Sequence, residues 1–314
     1  MKVAFLDQVH PILTESFEKI GWEVDMLDNL SRTEILEKIN RYQGIILRSR
    51  IKMNAEFLSH ASNLKFIGRP GAGLENIDLG YCSTNEIEVF RSPEGNRDAV
   101  AEHAIGMLLS LFNNLKRADS EVRDGLWIRE GNRGHELKGK TVGIIGYGYM
   151  GKAIAERLAG FGVRIIAYDK YISGFASASV EEVSLDVLQK EADVVSLHIP
   201  HSDETSGMVN SSFINAFAKS IYLINTARGS SVKISDLMEA IQTGKVLGAC
   251  LDVLEIESST FEEIAINFPP EFQGLISSGQ VVLSPHIAGW THEAKLKMGE
   301  FLAEKIIAKF GPGS

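Results

Sequence analysis

The sequence predicts an α/β protein built on two parallel sheets. Three observations carry this. Short apolar, β-branched runs alternate with stretches of helical period almost throughout, as they do where crossover helices bury strands on both faces. The 314 residues suit about two domains of roughly 150 residues each. The strand candidates also fall into two sets, separated by a long apolar segment.

In the first set the strands are KVAFL (2–6), EVDML (23–27), GIILR (44–48), LKFIG (64–68) and EVF (88–90). Helical stretches such as ILTESFEKI and RTEILEKIN lie between them, and the set is similar to a flavodoxin-like domain. Next, DAVAEHAIGMLLSLFNNLKRADSEV (98–122) reads as one long helix, apolar nearly all round at its start. Such a helix is buried on several sides, so it is expected both to cross between domains and to pack on a partner subunit. The second set is TVGIIG (141–146), VRIIAYD (163–169), ADVVSLH (192–198), SIYLIN (220–225), VLGACLD (246–252) and QVVLS (280–284). Six strands is the count of a doubly wound Rossmann sheet. The final stretch THEAKLKMGEFLAEKIIAKF is amphipathic, and its pattern leaves open which domain it joins.

Composition narrows the class of partner. A formal charge of −9 argues against nucleic acid or an anionic membrane, both of which need a positive surface. Cys82 and Cys250 are too few for a disulfide framework, which points to a reducing cytoplasm. MKVAFLD breaks the apolar run of a signal peptide with an aspartate, and no stretch approaches the ~20 apolar residues of a membrane span. No metal-ligand spacing stands out.

In open α/β sheets, ligands gather beyond the carboxyl ends of the strands. The second set ends at Gly146-Tyr147-Gly148-Tyr149-Met150-Gly151, at Asp169, at His198 and Pro200, at Thr226-Ala227-Arg228, at Asp252, and at His286. GYGYMG follows a strand and opens the helical run KAIAERLAGF, with an acid ending the next strand, which is the context of a dinucleotide turn. Gly146 permits the turn, Gly148 admits the pyrophosphate and Gly151 lets helix and strand pack, while the helix N-terminus offers N–H groups. Asp169 suits the adenosine ribose hydroxyls and repels a 2′-phosphate, so NAD is expected rather than NADP; the neighbouring Lys170 works against that preference. Arg228, flanked by small residues, suits a carboxylate. Glu257 and His286 follow at intervals of 29 residues. A carboxylate on an imidazole fixes its tautomer and favours the charged ring, as a general acid requires. By spacing alone Glu255 competes with Glu257 for that part.

The segments GRPGAGLENID (68–78), GNRDAVAEHAIGML (95–108), HELKGKTVGIIGYGYMG (135–151), SLHIPHSDET (196–205), NTARGS (225–230), GACLDVLEIE (248–257) and SPHIAG (284–289) together resemble the D-isomer-specific 2-hydroxyacid dehydrogenase family. The resemblance covers most of the chain. It implies catalysis by Arg228, Glu257 and His286. It also implies NAD contacts from Gly146, Gly148, Tyr149, Met150, Gly151, Asp169, His198, Pro200, Thr226, Ala227 and Asp252, and a substrate carboxylate met by backbone N–H groups around Ala72 and Gly73. It further implies a substrate domain of residues 1–97 with 290–314, a dinucleotide-binding domain of residues 98–289, and a homodimer built by the long helix. Three departures stand out: Ser258 replaces the family's proline, with an idiosyncratic stretch SSTFEEIAINFPPEFQGL after Glu257; Met150 replaces isoleucine; and Arg97 and Asp98 replace smaller residues.

GIILRSRIKMN (44–54) is similar to the 3-phosphoglycerate dehydrogenase branch, and Arg48, Arg50, Lys52 and Arg69 there form a basic cluster suited to a phosphorylated acid. The expected reaction is hydride transfer between a D-2-hydroxy acid, first 3-phosphoglycerate, and NAD. Glyoxylate or hydroxypyruvate reduction, and a NAD-sensing binding protein, are the alternatives. Formate oxidation fits less well, because Glu257 and not an amide faces His286. The sequence shows no appended C-terminal domain, so feedback through one is not expected.

Overall fold

The computed structural model describes residues 1–257 and 270–313. The chain divides into two compact units, one of Met1–Arg97 with the segment from Trp290 onward, the other of Asp98–Glu257 with the segment ending at Gly289.

Among the described residues the first unit holds five parallel strands, β1 (Lys2–Phe5), β2 (Glu23–Met26), β3 (Gly44–Ile46), β4 (Phe66–Arg69) and β5 (Glu88–Arg91), in the order β2-β1-β3-β4-β5. This is the flavodoxin-like order. On one face an aromatic chain runs through Phe5, Phe17, Trp22, Phe66 and Phe310, with Phe66 stacked on Phe310 at 5.3 Å. A side chain at Gly44 would collide with the Phe66 ring, so glycine there lets the stack form. The His292–Phe310 helix joins this unit: Leu302, Ala303 and Ile306 are buried among Val3, Phe5 and Ile46. Its backbone at Met298 lies so close to Gly95 that any larger residue would clash.

Among the described residues the second unit holds seven parallel strands: β6 (Thr141–Ile145), β7 (Arg164–Tyr168), β8 (Glu181–Glu182), β9 (Val194–Leu197), β10 (Ile221–Asn225), β11 (Val246–Leu251) and β12 (Val281–Leu283). Their order is β12-β11-β10-β9-β6-β7-β8. The predicted six become seven because β8, two exposed glutamates beside β7, has no apolar run to announce it. The sheet is the doubly wound Rossmann arrangement with one strand added at the β12 edge.

The predicted single helix over 98–122 is two. Arg97–Phe112 is helical, Asn114 takes a left-handed φ of 52°, and Leu115–Arg123 is a second helix. Left-handed backbone ends a helix, and asparagine tolerates it better than most residues. The first helix packs within this unit, with Phe112 against Tyr222 at 4.5 Å and Leu111 near Gly248. Asp98, unexplained by the sequence, pairs with Arg157 at 2.9 Å.

Among the described residues no helix is long and apolar enough to cross a membrane. None hold a group of three or more His, Cys, Asp or Glu side chains arranged for a metal ion.

Candidate active site

The glycine turn after β6 is built as its spacing predicts. Gly146 has φ 94°, and a Cβ there would strike the carbonyl of His198; one at Gly151 would strike the carbonyl of Gly146. Gly148 differs: a Cβ would meet nothing within 4 Å, and no side chain caps the Tyr149–Leu158 helix it begins. Open space at an uncapped helix N-terminus fits a pyrophosphate. Tyr149 and Met150 form the helix's first turn, with Tyr149 exposed.

Asp169, at the end of β7, accepts hydrogen bonds from the Tyr147 N–H at 2.7 Å and from the Tyr171 and Ile172 N–H groups at 2.9 Å each. It therefore ties the glycine turn to its own loop, a structural part played beside any ribose contact. After β9, His198 bonds Ser196 Oγ at 2.8 Å, and burial pushes its imidazole down to about 4. The exposed Pro200 accepts from Thr205 Oγ1 at 2.7 Å through its carbonyl.

After β10, buried Asn225 shapes the next turn. Its amide donates to the Arg228 carbonyl at 2.9 Å and its Oδ1 accepts from the Ala227 N–H at 3.1 Å. Thr226 Oγ1 is buried with no hydrogen-bond partner among the described residues, a group a bound cofactor could satisfy. The half-buried Arg228 side chain donates to the Ala227 carbonyl at 2.7 Å. A Cβ at Gly229 would overlap the backbone of Leu254, so the loops after β10 and β11 press together here.

The competition between the two glutamates is resolved by geometry. Glu255 accepts from the Ile234 N–H at 3.1 Å, whereas Glu257 Oε2 meets His286 Nδ1 at 2.7 Å. Glu257 Oε1 is fixed by the Leu254 N–H. Glu257 is 12% exposed and His286 27%, so the carboxylate is sheltered while the ring keeps access to solvent. An ionised carboxylate only accepts, so this contact assigns a proton to Nδ1.

His286 itself has φ 56°. Asp252, 1% exposed, holds that turn: its carboxylate accepts from Ser284 Oγ at 2.6 Å and from the Ile287 and Ala288 N–H groups at 2.8 Å, and its carbonyl from the His286 N–H at 2.7 Å. His103 Nε2 completes the group, 2.8 Å from Ser284 Oγ. Arg228, Glu257 and His286 thus follow β10, β11 and β12, three adjacent strands ending on one edge. Ser258 and the stretch through residue 269 lie outside the described residues.

In the first unit the expected basic cluster is largely committed elsewhere. Arg50 donates to the carbonyls of Leu6, Leu27 and Leu30, and Arg69 to those of Arg48 and Gly73. Both guanidinium groups neutralise carbonyls beyond strand ends, which a run of basic residues in sequence does not reveal. Lys52 is exposed, and Arg48 lies 4.2 Å over the Trp290 ring. Arg91 donates to the Ala72 carbonyl at 3.1 Å, so guanidinium groups hold the carbonyls of both Ala72 and Gly73. Sequence reasoning missed Asn225, Ser284 and His103; only their places at or facing strand ends could have signalled them.

The NAD-binding domain model of the D-isomer specific 2-hydroxyacid dehydrogenases matches residues 105–288, and this chain belongs to that family. A D-3-phosphoglycerate dehydrogenase from Archaeoglobus fulgidus is 35% identical over 309 residues, which is 98% of this chain and 57% of that protein. The chain thus spans little more than half the length of that relative. A hydroxypyruvate reductase from Thermotoga maritima is 36% identical over 284 residues, 90% of each chain. Among solved structures, the D-lactate dehydrogenase of Aquifex aeolicus complexed with NAD and lactic acid is similar, with a TM-score of 0.81 and 28% identity over 98% of this chain and 95% of that one. The unit bearing the glycine turn is the family's NAD-binding domain.

Proposed function

We propose that the chain is an NAD-dependent dehydrogenase acting between a D-2-hydroxy acid and its 2-oxo acid. The observation that supports this most is the 2.7 Å Glu257–His286 pair, on strand ends next to the one that carries Arg228. NAD, when bound, supplies the hydride acceptor or donor. Gly146, Gly148, Gly151 and the helix start at Tyr149 would hold its pyrophosphate, Asp169 its ribose, and Thr226 Oγ1 one further polar group. Ala227, Pro200, His198 and Asp252 shape the same strand-end edge.

With Nδ1 engaged by Glu257, His286 moves the proton at Nε2: onto the substrate's 2-oxygen in reduction, off it in oxidation. The carboxylate behind the ring stabilises the imidazolium while the proton is held. Arg228 holds the substrate by charge-assisted hydrogen bonds. In the first unit, the Ala72 and Gly73 N–H groups are assigned to the substrate carboxylate, since the carbonyls of the same peptide units, those of Gly71 and Ala72, are drawn to the Ser92 N–H and to Arg91.

For the substrate, 3-phosphoglycerate is the first reading, with Arg48 and Lys52 assigned to the phosphate. Hydroxypyruvate is the second, favoured by the commitment of Arg50 and Arg69 to carbonyls. We assign the exposed Leu115, Leu126 and Trp127 to a second copy of the chain. NADH oxidation by the purified protein across 3-phosphohydroxypyruvate, hydroxypyruvate, glyoxylate and pyruvate is the test. Turnover of 3-phosphohydroxypyruvate at least tenfold above the rest supports the first reading, preference for hydroxypyruvate the second, and turnover of none a NAD-sensing binding protein.

A further inference from the structure

Lys170 directly follows Asp169. A cation at that place is what a dinucleotide bearing a 2′-phosphate needs, so its presence beside a ribose-binding acid sets two preferences against each other. The side chain does not point idly into solvent. Its ammonium pairs with Glu204 Oε1, and the Tyr171 hydroxyl donates to Glu204 Oε2 at 2.6 Å.

Both sides of this contact are held by their own loops. Asp169 Oδ1 accepts from the Tyr171 and Ile172 N–H groups, which fixes the turn carrying Lys170. Opposite, the Ser202 N–H donates to Thr205 Oγ1 at 2.9 Å and the Ser206 N–H to the Ser202 carbonyl at 2.9 Å, which fixes the turn carrying Glu204. These loops follow β7 and β9, and β6, whose end bears the glycine turn, lies between those strands in the sheet. The clasp therefore joins the two loops that flank the dinucleotide turn.

We propose that Glu204 is a cofactor-specificity residue, which withholds Lys170 from a 2′-phosphate and so reinforces the preference for NAD over NADP. The inference rests on the reading of the glycine turn and Asp169 as the adenosine site. Asp169 repels the phosphate and Glu204 neutralises the cation directly next to it in the chain. Each partner favours the other's charged form: the ammonium pKa is raised and the Glu204 carboxyl pKa lowered. Because both side chains are about half exposed, the effect is bounded by what surface pairs achieve.

The test is equilibrium titration of wild type, Glu204→Gln, Lys170→Ala and the double variant with NADH and with NADPH at low salt. Glutamine keeps an acceptor for the Tyr171 hydroxyl while removing the charge. In Glu204→Gln the NADPH Kd should fall about two- to fivefold with NADH binding little changed. That gain should vanish in the double variant, because it requires the released Lys170. An unmoved NADPH to NADH ratio in Glu204→Gln overturns the proposal. So does a gain that survives in the double variant, which would mark general charge removal. A wild type that binds neither dinucleotide overturns the cofactor reading itself, and this proposal with it.

Discussion

Asp252 sets the turn that carries His286, whose side chain its carboxylate does not touch. A buried carboxylate is costly unless its lone pairs are filled, and here one hydroxyl and two N–H groups fill them. Those bonds hold His286 in left-handed backbone, a conformation costing about 1–2 kcal/mol for a residue with a Cβ. The family resemblance implied a cofactor contact for Asp252; its partners lie 32, 35 and 36 residues further on, so only the fold discloses this structural part. Glu257 was legible by type, but its choice over Glu255 depends on a turn that the local sequence does not fix. His198 gives a prediction at this scale. Its imidazole titrates near 4 when folded and near 6.5 when unfolded, so between those values the unfolded chain binds more protons. Stability should therefore fall by about 3 kcal/mol as pH drops through that window. Denaturant unfolding at pH 7 and 4.5 should show a smaller acid loss in His198→Gln; an identical loss would contradict the assignment.

Among the elements, the glycine turn was the most legible, because three glycines at fixed spacing between a strand and a helix have few other uses. The structure separates their parts, and this yields a paired prediction. Gly151→Ala forces a Cβ against the Gly146 carbonyl, so it should lower thermal stability and NADH affinity together. Gly148→Ala places its Cβ in open space, so the unliganded protein should melt within about 2 °C of wild type, while NADH binding weakens at least tenfold. Equal destabilisation in both would contradict the view that Gly148 is reserved for a ligand. Other elements were less legible for physical reasons. β8 is two glutamates recruited by β7, and the break at Asn114 interrupts a pattern that is helical on both sides. The basic run at 48–52 read as an anion site, yet carbonyls at strand ends consume Arg50.

For the whole molecule, the division at Arg97 and Trp290 leaves each sheet with its own core, and the two alternation sets were visible because buried parallel strands must be apolar. Assembly was less legible. Trp127 is 80% exposed, with Leu115, Leu126 and Ile128 also exposed beside a helix that buries none of its residues. We propose that this apolar surface meets a second copy of the chain. Sedimentation should show a dimer for wild type and a monomer for Trp127→Glu; a wild-type monomer at micromolar concentration would remove the dimer. The most direct measurement of the whole account takes His286→Asn, whose side chain cannot shuttle a proton, and compares turnover with NADH binding in one preparation. Turnover on the preferred 2-oxo acid should fall at least a hundredfold, with the NADH Kd within about twofold of wild type. Retained turnover would show that the proton passes elsewhere and that the Glu257–His286 pair is not the catalytic one.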